Sequence, residues 1–443
     1  MVATIVEAGG KLCGIISEGD LRRAILAGKM LDTPLSQVMN TRPITLKLED
    51  LDSHSKITGA VDWLYRCYGT GQGQQAAIPV VDDENHLLGL VTAEMLQMGA
   101  RSREYPPNVK LSGQHVLVVG GAGYIGSVLV RRLLSAGWRV RVLYNLLYRQ
   151  ASLEGIDNER FSFMRADVTN INDAVESIAG IDAVVYLAEI VGDPACALRP
   201  ERALKTNYLS VANMAHLCAY LNINRFIYAS SYSVYGGSCS PEGLLSEESA
   251  LNPLSYYGQM KTMSEQVLRG ISAPLFSPTI LRLATVFGCS FRPRFDLVVN
   301  AFAKNAFFNH CLEVFGGSQW RPNVHVGDVA DAVVSVLEAP AEKVSRQIFN
   351  VGSNKENYTI DQLAEIALAV FPGTKIKRGS NSVDLRNYRV DFGKIEGALG
   401  YQAKTTVRDG LAELKSAFQK AAVDNSGYEK YSNLEALKEF VRD

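Results

Sequence analysis

A glycine-rich turn directly after a short apolar segment is the feature that most constrains how this chain folds. The segment His115–Val119 has β-strand character, and the sequence Gly-Gly-Ala-Gly-Tyr-Ile-Gly then runs from Gly120 to Gly126. Glycines at this spacing allow a tight turn, a close approach of the backbone to a pyrophosphate, and close packing of the next helix on the strand. The N-terminus of that helix would direct unpaired N–H groups at the phosphates. We expect a bound dinucleotide to contact Gly120, Gly123, Tyr124, Ile125 and Gly126.

Alternating segments from Gln114 onward predict the fold around this turn. Strands are predicted at 115–119, 139–144, 161–165, 183–187, 225–230 and 279–284. Helices are predicted between them at 124–136, 173–178, 201–221 and 257–268. Strands that are apolar on both faces and separated by helices indicate a doubly wound parallel sheet, the Rossmann arrangement of the α/β class. Helices at 296–309, 359–371 and 411–420 predict a smaller C-terminal substrate lobe, mainly from about residue 285, within a domain of residues 114–420.

The residues before this domain have a different character. Residues 101–113 are polar and contain Pro106-Pro107, which oppose both helix and central strand, so they are predicted to be a linker. Residues 1–100 contain a weak internal repeat, in which 3–20 and 78–96 each have an apolar strand, a polar turn, a second strand and the start of a helix. Residues 1–100 are therefore predicted to form an α+β domain. At the other end of the chain, residues 421–443 are predicted to form a charged C-terminal extension.

The repeat resembles a pair of CBS modules, a family that binds adenine nucleotides between its two halves. The first module lacks the family's opening strand and helix, so it is incomplete. The resemblance implies that Ser17 and Asp20 bind the ribose of an adenine nucleotide. The second half has Thr92 but Met95 in place of the acid, so at most one site retains its carboxylate. The alternative is a small domain that only mediates dimerisation.

Composition excludes several functional classes. The formal net charge is −1, so nothing in the overall charge attracts nucleic acid or an anionic membrane. No apolar segment approaches the ~18–20 residues needed to span a bilayer, and the first residues lack the features of a secretion signal. The seven cysteines have neither metal-site nor redox spacing, which indicates reduced thiols and no bound metal. We expect a cytoplasmic protein.

The end of the second predicted strand lacks the residue that usually selects the dinucleotide. Tyr144 stands where an Asp commonly binds the adenosine ribose and repels a 2′-phosphate, so the choice between NAD and NADP stays open. Asn145 is the candidate ribose ligand, whereas Arg141 or Arg149 would be placed to meet a 2′-phosphate. Just past the third strand, resemblance to a family of dinucleotide-binding enzymes implies that Asp167 and Val168 contact the adenine, with a helix N-cap as the alternative role of Asp167.

A Tyr-x-x-x-Lys motif, Tyr257 to Lys261, opens a predicted helix and provides candidate catalytic groups. The i, i+4 spacing places both side chains on one helix face. The lysine charge would favour the phenolate and lower the pKa of Tyr257, which could then act as a general base or acid. Upstream, the strand at 225–230 ends in Ser230-Ser231-Tyr232-Ser233-Val234-Tyr235-Gly236, where its C-terminal edge would place hydroxyls at a ligand site.

Together these motifs resemble the extended short-chain dehydrogenase/reductase family, which includes nucleotide-sugar epimerases and 4,6-dehydratases. The resemblance implies NAD(P), a nucleotide-sugar substrate, and catalytic roles for Ser231, Tyr257 and Lys261, with Tyr257 and Lys261 also contacting the cofactor. Dehydratases of the family follow the catalytic hydroxyl with an Asp-Glu pair, whereas Tyr232-Ser233 stands here. A 4,6-dehydratase is therefore disfavoured.

The resemblance extends over nearly all of 114–420. It implies cofactor contacts from Leu187, Ala188 and Asn207, and substrate contacts from Ser231, Thr285, Arg321 and Arg386. The planar guanidinium of Arg321 suits a diphosphate, and Arg386 is a second candidate. Glu189 stands where relatives usually have a small residue; its carboxylate would either interfere with a pyrophosphate or bind a ribose. His325 and Asp328 are expected to be structural.

Three hypotheses follow from the sequence. The first is a nucleotide-sugar epimerase or oxidoreductase that uses bound NAD(P) for hydride transfer, with Tyr257 as acid and base. The second is an NADPH-dependent reductase of a 4-keto sugar nucleotide, supported by Tyr144 in place of the ribose acid. The third is a non-catalytic nucleotide sensor. The resemblance also implies a homodimer.

Overall fold

The computed structural model describes residues 2–7, 10–29, 33–47, 50, 77–92, 114–145, 147, 151–237, 243–273, 275–379, 387–421 and 433. The chain divides into two compact units, Met1–Lys110 and Leu111–Asp443. Within the described ranges, no helix has the length and apolar character that crossing a membrane requires. The cysteines in those ranges, Cys13, Cys196, Cys218, Cys289 and Cys311, carry free thiols.

The first unit contains two copies of one hairpin motif. Its elements are β1 (Val2–Val6), β2 (Leu12–Ser17), α1 (Glu18–Leu26), β3 (Leu46–Lys47), β4 (Ala77–Val81) and β5 (Leu87–Thr92). β1 pairs with β2 and β4 with β5, both antiparallel, and each pair has an irregularity before the last residue of its first strand. The hairpins meet at their turns, where the Leu12 N–H donates to the Asn85 carbonyl at 2.9 Å and the Leu87 N–H donates to the Gly10 carbonyl at 3.0 Å. The sequence repeat is therefore also a structural repeat.

The second unit is built on a seven-stranded sheet. Its strands are β6 (His115–Val119), β7 (Arg139–Tyr144), β8 (Phe161–Arg165), β9 (Ala183–Tyr186), β10 (Arg225–Ser231), β11 (Ser277–Leu283) and β15 (Ile348–Val351). Their order is β15-β11-β10-β9-β6-β7-β8, and every neighbouring pair is parallel. The order reverses between β6 and β9, which is the point where ligands bind in open sheets of this kind.

Helices cover both faces of this sheet and also build the smaller lobe. They are α2 (Tyr124–Ser135), α3 (Ile171–Ser177), α4 (Asp193–Leu198), α5 (Pro200–Leu204), α6 (Ser210–Tyr220), α7 (Tyr256–Gly270), α8 (Val298–Asn309), α9 (Val326–Glu338), α10 (Ala341–Val344), α11 (Ile360–Val370), α12 (Gly393–Leu399) and α13 (Val407–Ala421). Along β6, Val116 and Val118 pack into one apolar core, whereas Leu117 and Val119 pack into another on the opposite face. This explains why the central strand is apolar throughout.

Short strands complete the smaller lobe. They are β12 (Thr285–Phe287), β13 (Cys311–Phe315), β14 (Trp320–His325), β16 (Asn357–Thr359) and β17 (Lys375–Gly379). β14 lies between β12 and β16, and β13 pairs with β17. Helices α8, α11 and α13 pack around the lobe's own apolar core.

The predicted helix over 201–221 is wrong as a single element. The structure has α5, then a π-helical turn over Lys205–Leu209, then α6. Side-chain periodicity does not reveal a local change from i+4 to i+5 hydrogen bonding, and such turns are frequent at functional sites. This one contains Asn207.

Candidate active site

The glycine turn after β6 has the tight geometry that dinucleotide binding requires. Gly120 has a φ of +90°, and a Cβ atom there would lie 2.7 Å from the backbone nitrogen of Ala188. At Gly126, a Cβ atom would lie 2.7 Å from the Cα atom of Gly121, so the glycine lets α2 pack against the turn. Gly123 is the N-cap of α2. The turn therefore leaves backbone atoms, rather than side chains, facing a ligand.

A cleft of about 460 Å³, including the solvent at its mouth, opens at the carboxyl ends of the central strands. Its walls are formed by Gly120, Leu143, Tyr144, Asn145, Leu147, Ala166, Val168, Ala188, Glu189, Ile190, Arg202 and Thr206. Of the predicted cofactor contacts, Gly120, Asn145, Val168 and Ala188 line it directly. Leu187 precedes Ala188 in the same loop after β9. Arg202 and Thr206 carry no motif of their own, so sequence reasoning missed them.

Asp167 and Asn145 are linked at one wall of this cleft. The Asn145 amide donates to the Asp167 carboxylate at 3.3 Å, and the backbone and hydroxyl of Thr169 donate to it at 2.9 and 2.8 Å. Burial alone would raise the pKa of Asp167, but these hydrogen bonds outweigh it and hold the pKa below its usual value. The alternative role of Asp167 as a helix N-cap is wrong, because Asn170 caps α3.

Tyr124 is a predicted cofactor residue whose side chain serves another purpose. Its hydroxyl donates to the Gly288 carbonyl at 2.9 Å and accepts from the Asn300 amide at 3.1 Å, and the side chain is buried. Burial raises the pKa of this phenol. Any cofactor contact of Tyr124 must therefore come from its backbone at the first turn of α2, while the side chain joins this helix to the smaller lobe.

The structure brings Ser231, Tyr257 and Lys261 together. Ser231 is the last residue of β10, and its hydroxyl accepts from the Ser233 N–H at 3.1 Å. Tyr257 and Lys261 lie on the first turns of α7, with the Lys261 nitrogen 5.6 Å from the centre of the Tyr257 ring. Burial raises the pKa of Tyr257, and the nearby Ser231 side chain acts in the opposite direction. Strand β10 and helix α7 thus converge on one reactive cluster.

Glu189 belongs to the same cluster. Its Oε2 lies 2.6 Å from Lys261 Nζ, and both side chains are 3% exposed. Its Oε1 accepts from the Tyr228 hydroxyl at 2.9 Å. From the sequence, this carboxylate would either interfere with a pyrophosphate or bind a ribose. The structure shows a third arrangement, an ion pair with the lysine of the motif.

Burial dominates the ionisation of these groups. It raises the pKa of Glu189 and lowers the pKa of Lys261, while their mutual attraction acts in the opposite direction on each. The pKa of Tyr257 is raised well above its usual value, first by burial and then by the Glu189 charge. The prediction of a lowered pKa for Tyr257 is therefore not met by the protein's own groups, because burial and the Glu189 charge raise it.

Asn207 holds the loop that carries Glu189. Its Oδ1 accepts from the Ile190 N–H at 2.9 Å, and its Nδ2 donates to the Ile190 carbonyl at 2.8 Å. The Ser264 hydroxyl on α7 donates to the Asn207 carbonyl at 2.9 Å. Asn207 therefore supports the cleft through the Ile190 backbone and connects it to the helix of Tyr257.

The predicted substrate residues of the smaller lobe lie on β12 and β14. The Thr285 hydroxyl is 2.9 Å from the Tyr232 hydroxyl, and the Tyr232 and Tyr388 rings meet edge to face at 4.9 Å. The Arg321 guanidinium lies 5.7 Å from the centre of the Tyr388 ring and donates to the Trp320 carbonyl at 2.8 Å. Tyr232, which replaces the dehydratase acid, thus connects β10 to this lobe. Arg386 lies outside the described residues.

His325 and Asp328 are structural, as predicted. His325 is the N-cap of α9, accepting from the Gly327 N–H at 3.2 Å, and its other nitrogen is 2.9 Å from Glu413. The Asp328 carboxylate accepts from the Thr405 N–H at 2.9 Å.

In the first unit, Ser17 and Asp20 bind each other at the start of α1. The Ser17 N–H and hydroxyl donate to the Asp20 carboxylate at 2.8 and 2.6 Å, and the Asp20 N–H donates back to the Ser17 hydroxyl at 3.2 Å. Burial opposes these bonds, but they and Arg23 hold the pKa of Asp20 below its usual value. Ser17 and Asp20 therefore cap the start of α1.

The parallel sheet has a glycine turn at its switch point and a Ser–Tyr–Lys cluster at the same edge. This combination defines a dinucleotide-dependent enzyme. The chain belongs to the NAD dependent epimerase/dehydratase family, whose model matches residues 116–352, more than half of its length. The backbone cradle at Gly120 and Gly126 fits NAD, the cofactor of this family.

Individual relatives match about two thirds to three quarters of this chain. An uncharacterized protein, MJ1055, from Methanocaldococcus jannaschii is 29% identical over 67% of this chain and 94% of its own length. UDP-glucuronic acid decarboxylase 1 of Arabidopsis thaliana is 28% identical over 72% of this chain and 73% of its own. The structure is also similar to that of UDP-glucuronic acid 4-epimerase from Bacillus cereus in complex with UDP-glucuronic acid and NAD, at 26% identity and a TM-score of 0.61, covering 69% of this chain and 99% of that one.

Proposed function

We propose that this enzyme oxidises a carbinol of a nucleotide sugar reversibly and acts as an epimerase or a related oxidoreductase. The observation that carries the proposal is the convergence of Ser231, Tyr257 and Lys261 at the edge of the sheet that also holds the glycine turn. When bound, NAD would supply reversible hydride transfer, namely removal of a hydride from the sugar and, for an epimerisation, its return to the opposite face of the ketone.

The chain's own residues supply the proton chemistry. Tyr257 takes the proton of the reacting hydroxyl and returns it later, and Ser231, which lies near Tyr257, holds the reacting oxygen. Lys261 would hold the cofactor ribose. Backbone N–H groups after Gly120, together with Asn145 and Asp167, would hold the pyrophosphate and the adenosine.

The substrate class we propose is a UDP-sugar, with UDP-glucuronic acid as the first candidate. Two of the similar proteins, one by sequence and one by structure, are named for this sugar nucleotide. Arg321 on β14 would pair with the diphosphate, because its planar guanidinium matches two phosphate oxygens.

The experiment is a product analysis with the full chain. Purified protein is incubated with NAD+ and either UDP-glucuronic acid or UDP-glucose, and the sugars are followed by NMR for inversion at C4 or loss of the carboxyl group. Tyr257→Phe is the control variant and should lose turnover. Absence of any reaction with both substrates, or full turnover by Tyr257→Phe, would contradict the proposal.

An NADPH-dependent reductase of a 4-keto sugar nucleotide is the second candidate. Tyr144, rather than an acid, ends β7 and lines the cleft, which removes the usual repulsion of a 2′-phosphate. The Asp167 carboxylate, linked to Asn145 and held ionised by its hydrogen bonds, restores a negative charge there and favours NAD. Calorimetric titration with NAD+ and NADP+ separates the two: tighter NADP+ binding would favour the reductase.

For the first unit, we propose a CBS-like module that binds an adenine nucleotide next to Ser17 and Asp20. The paired hairpins support a duplicated module. Titration of the full chain with AMP and ATP, followed by thermal unfolding, tests this, and no stabilisation at millimolar concentration would contradict it. A homodimer is proposed from the family resemblance and is testable by light scattering.

A further inference from the structure

The Glu189 carboxylate takes no part in the proposed reaction, yet it lies within the reactive cluster. It lines the same cleft as Gly120, its side chain is 3% exposed, and it is 2.6 Å from Lys261 Nζ. Burying a carboxylate is costly unless a partner compensates it, and removing one partner of a buried pair leaves an uncompensated charge. The buried carboxylate of Glu189 therefore indicates a role that a small residue could not fulfil.

Lys261 is held by groups of the protein itself. Its ammonium contacts Glu189, donates to the Ala229 carbonyl, and lies 4.6 Å from the centre of the Tyr228 ring. The Tyr228 hydroxyl in turn donates to Glu189 at 2.9 Å. Whether the shared proton lies on the nitrogen or on the carboxylate, the pair of Glu189 and Lys261 has no net charge.

The charge of this pair matters because the two redox forms of NAD differ in charge at the nicotinamide. The oxidised ring is positive, and addition of a hydride, which is one proton and two electrons, makes it neutral. An unpaired Lys261 would repel the oxidised ring and leave the reduced ring unaffected. Such a repulsion is strong in a buried site of low effective dielectric constant.

We propose that Glu189 sets the redox balance of the bound cofactor: by neutralising Lys261, it favours NAD+ over NADH. It is a positioning residue that acts through Lys261. The inference rests on the proposed function in one respect, the placement of the nicotinamide beside Tyr257 and Lys261. In this arrangement the enzyme keeps its cofactor in the form that begins an oxidation.

The test is the ratio of the dissociation constants of NAD+ and NADH, measured on the full chain by NADH fluorescence and by competition with NAD+. The ratio cancels contacts that both forms share. Glu189→Gln retains the shape and removes the charge, and should shift the ratio at least about tenfold toward NADH. This corresponds to about 1.4 kcal/mol, or about 30 mV for a two-electron couple.

Charge-balanced variants make the test specific. Lys261→Met leaves Glu189 alone and should shift the ratio in the opposite direction, toward NAD+. The double variant Glu189→Gln/Lys261→Met again has no net charge and should return to within about threefold of the unsubstituted protein. Tyr228→Phe removes a hydrogen bond to Glu189 but no charge, so the ratio should stay within about twofold.

Circular dichroism establishes first that each variant is folded. If Glu189→Gln does not fold, Lys261→Met and the double variant carry the test, because the shift toward NAD+ in Lys261→Met must disappear in the double variant. An unchanged ratio, or equal weakening of both forms, would overturn the proposal. Failure of the unsubstituted protein to bind either form would instead contradict the proposed function, so the two failures are distinguishable.

Discussion

Replacing Asn207 by alanine tests whether one buried amide holds the loop beside the cleft. The amide makes two hydrogen bonds with the backbone of Ile190, at 2.9 and 2.8 Å, and its side chain is almost fully buried. Alanine leaves the Ile190 N–H and carbonyl in the interior without these partners. Each buried polar group that loses its partner costs about 1–3 kcal/mol, so the variant should be about 2–6 kcal/mol less stable.

The assay is thermal unfolding with and without NAD+. For a unit of this size, roughly 2 °C of melting temperature corresponds to 1 kcal/mol, so we expect a decrease of roughly 4–12 °C. The stabilisation by NAD+ should also diminish, because Glu189 and Ile190 line the cleft. Asn172→Ala, at an exposed position on α3, is the matched control and should change the melting temperature by less than about 1 °C.

Asn207→Asp refines the test. It keeps the acceptor for the Ile190 N–H but directs a carboxylate at the Ile190 carbonyl, so it should be at least as destabilising as alanine. A melting temperature of Asn207→Ala within about 1 °C of the unsubstituted protein, with unchanged stabilisation by NAD+, would refute the reasoning. It would mean that other contacts hold the Ile190 backbone.

Three further predictions concern the site. Tyr257→Phe should lower the rate of sugar oxidation by about 10²–10⁴-fold while NAD+ affinity, measured by calorimetry, stays nearly constant; a modest rate loss would contradict the acid–base role. The rate of the oxidation step, measured by single-turnover absorbance, should rise from pH 6 to 9. Burial and the neighbouring carboxylate raise the pKa of Tyr257, so the phenolate that acts as the base becomes more abundant as the pH rises. A flat pH profile would contradict this. Gly126→Ala adds a methyl group 2.7 Å from the Cα atom of Gly121 in the preceding turn and should weaken NAD+ binding at least about tenfold. Gly397→Ala is the control: its added methyl group would have no atom within 4 Å, so NAD+ binding should stay unchanged.

The central sheet could be predicted because its local signals agree. The structure has β6 and β7 at the predicted bounds, and β10 and β11 within two residues of theirs. In β6, alternate residues are buried in apolar cores on opposite faces of the sheet, and the chain between the strands has helical periodicity. The strand pairs of the smaller lobe were not predicted, since β12 and β16 have only three residues each and both pair with β14, which is distant from them in the chain.

The site was predictable only where a motif marks it. The Tyr-x-x-x-Lys spacing identified Tyr257 and Lys261, and the end of β10 identified Ser231, because each depends on a position within one element. The ion pair of Lys261 and Glu189 joins a helix to a loop far away in the chain, and no local pattern indicates it. The role of the Tyr124 side chain was likewise not predictable from the sequence, since its partners lie in another lobe.

The strand order also determines when the site comes into existence as the chain folds. The glycine turn follows β6, but the wall that Gly120 contacts is supplied by the loop after β9, which is synthesised later than β7 and β8. A nascent chain that ends after β8 thus has the turn but not the opposite wall. Because such non-local contacts form only after a loop has closed, NAD can stabilise the completed sheet and cannot nucleate its first half. Protection by NAD against proteolysis should accordingly report completion of the sheet.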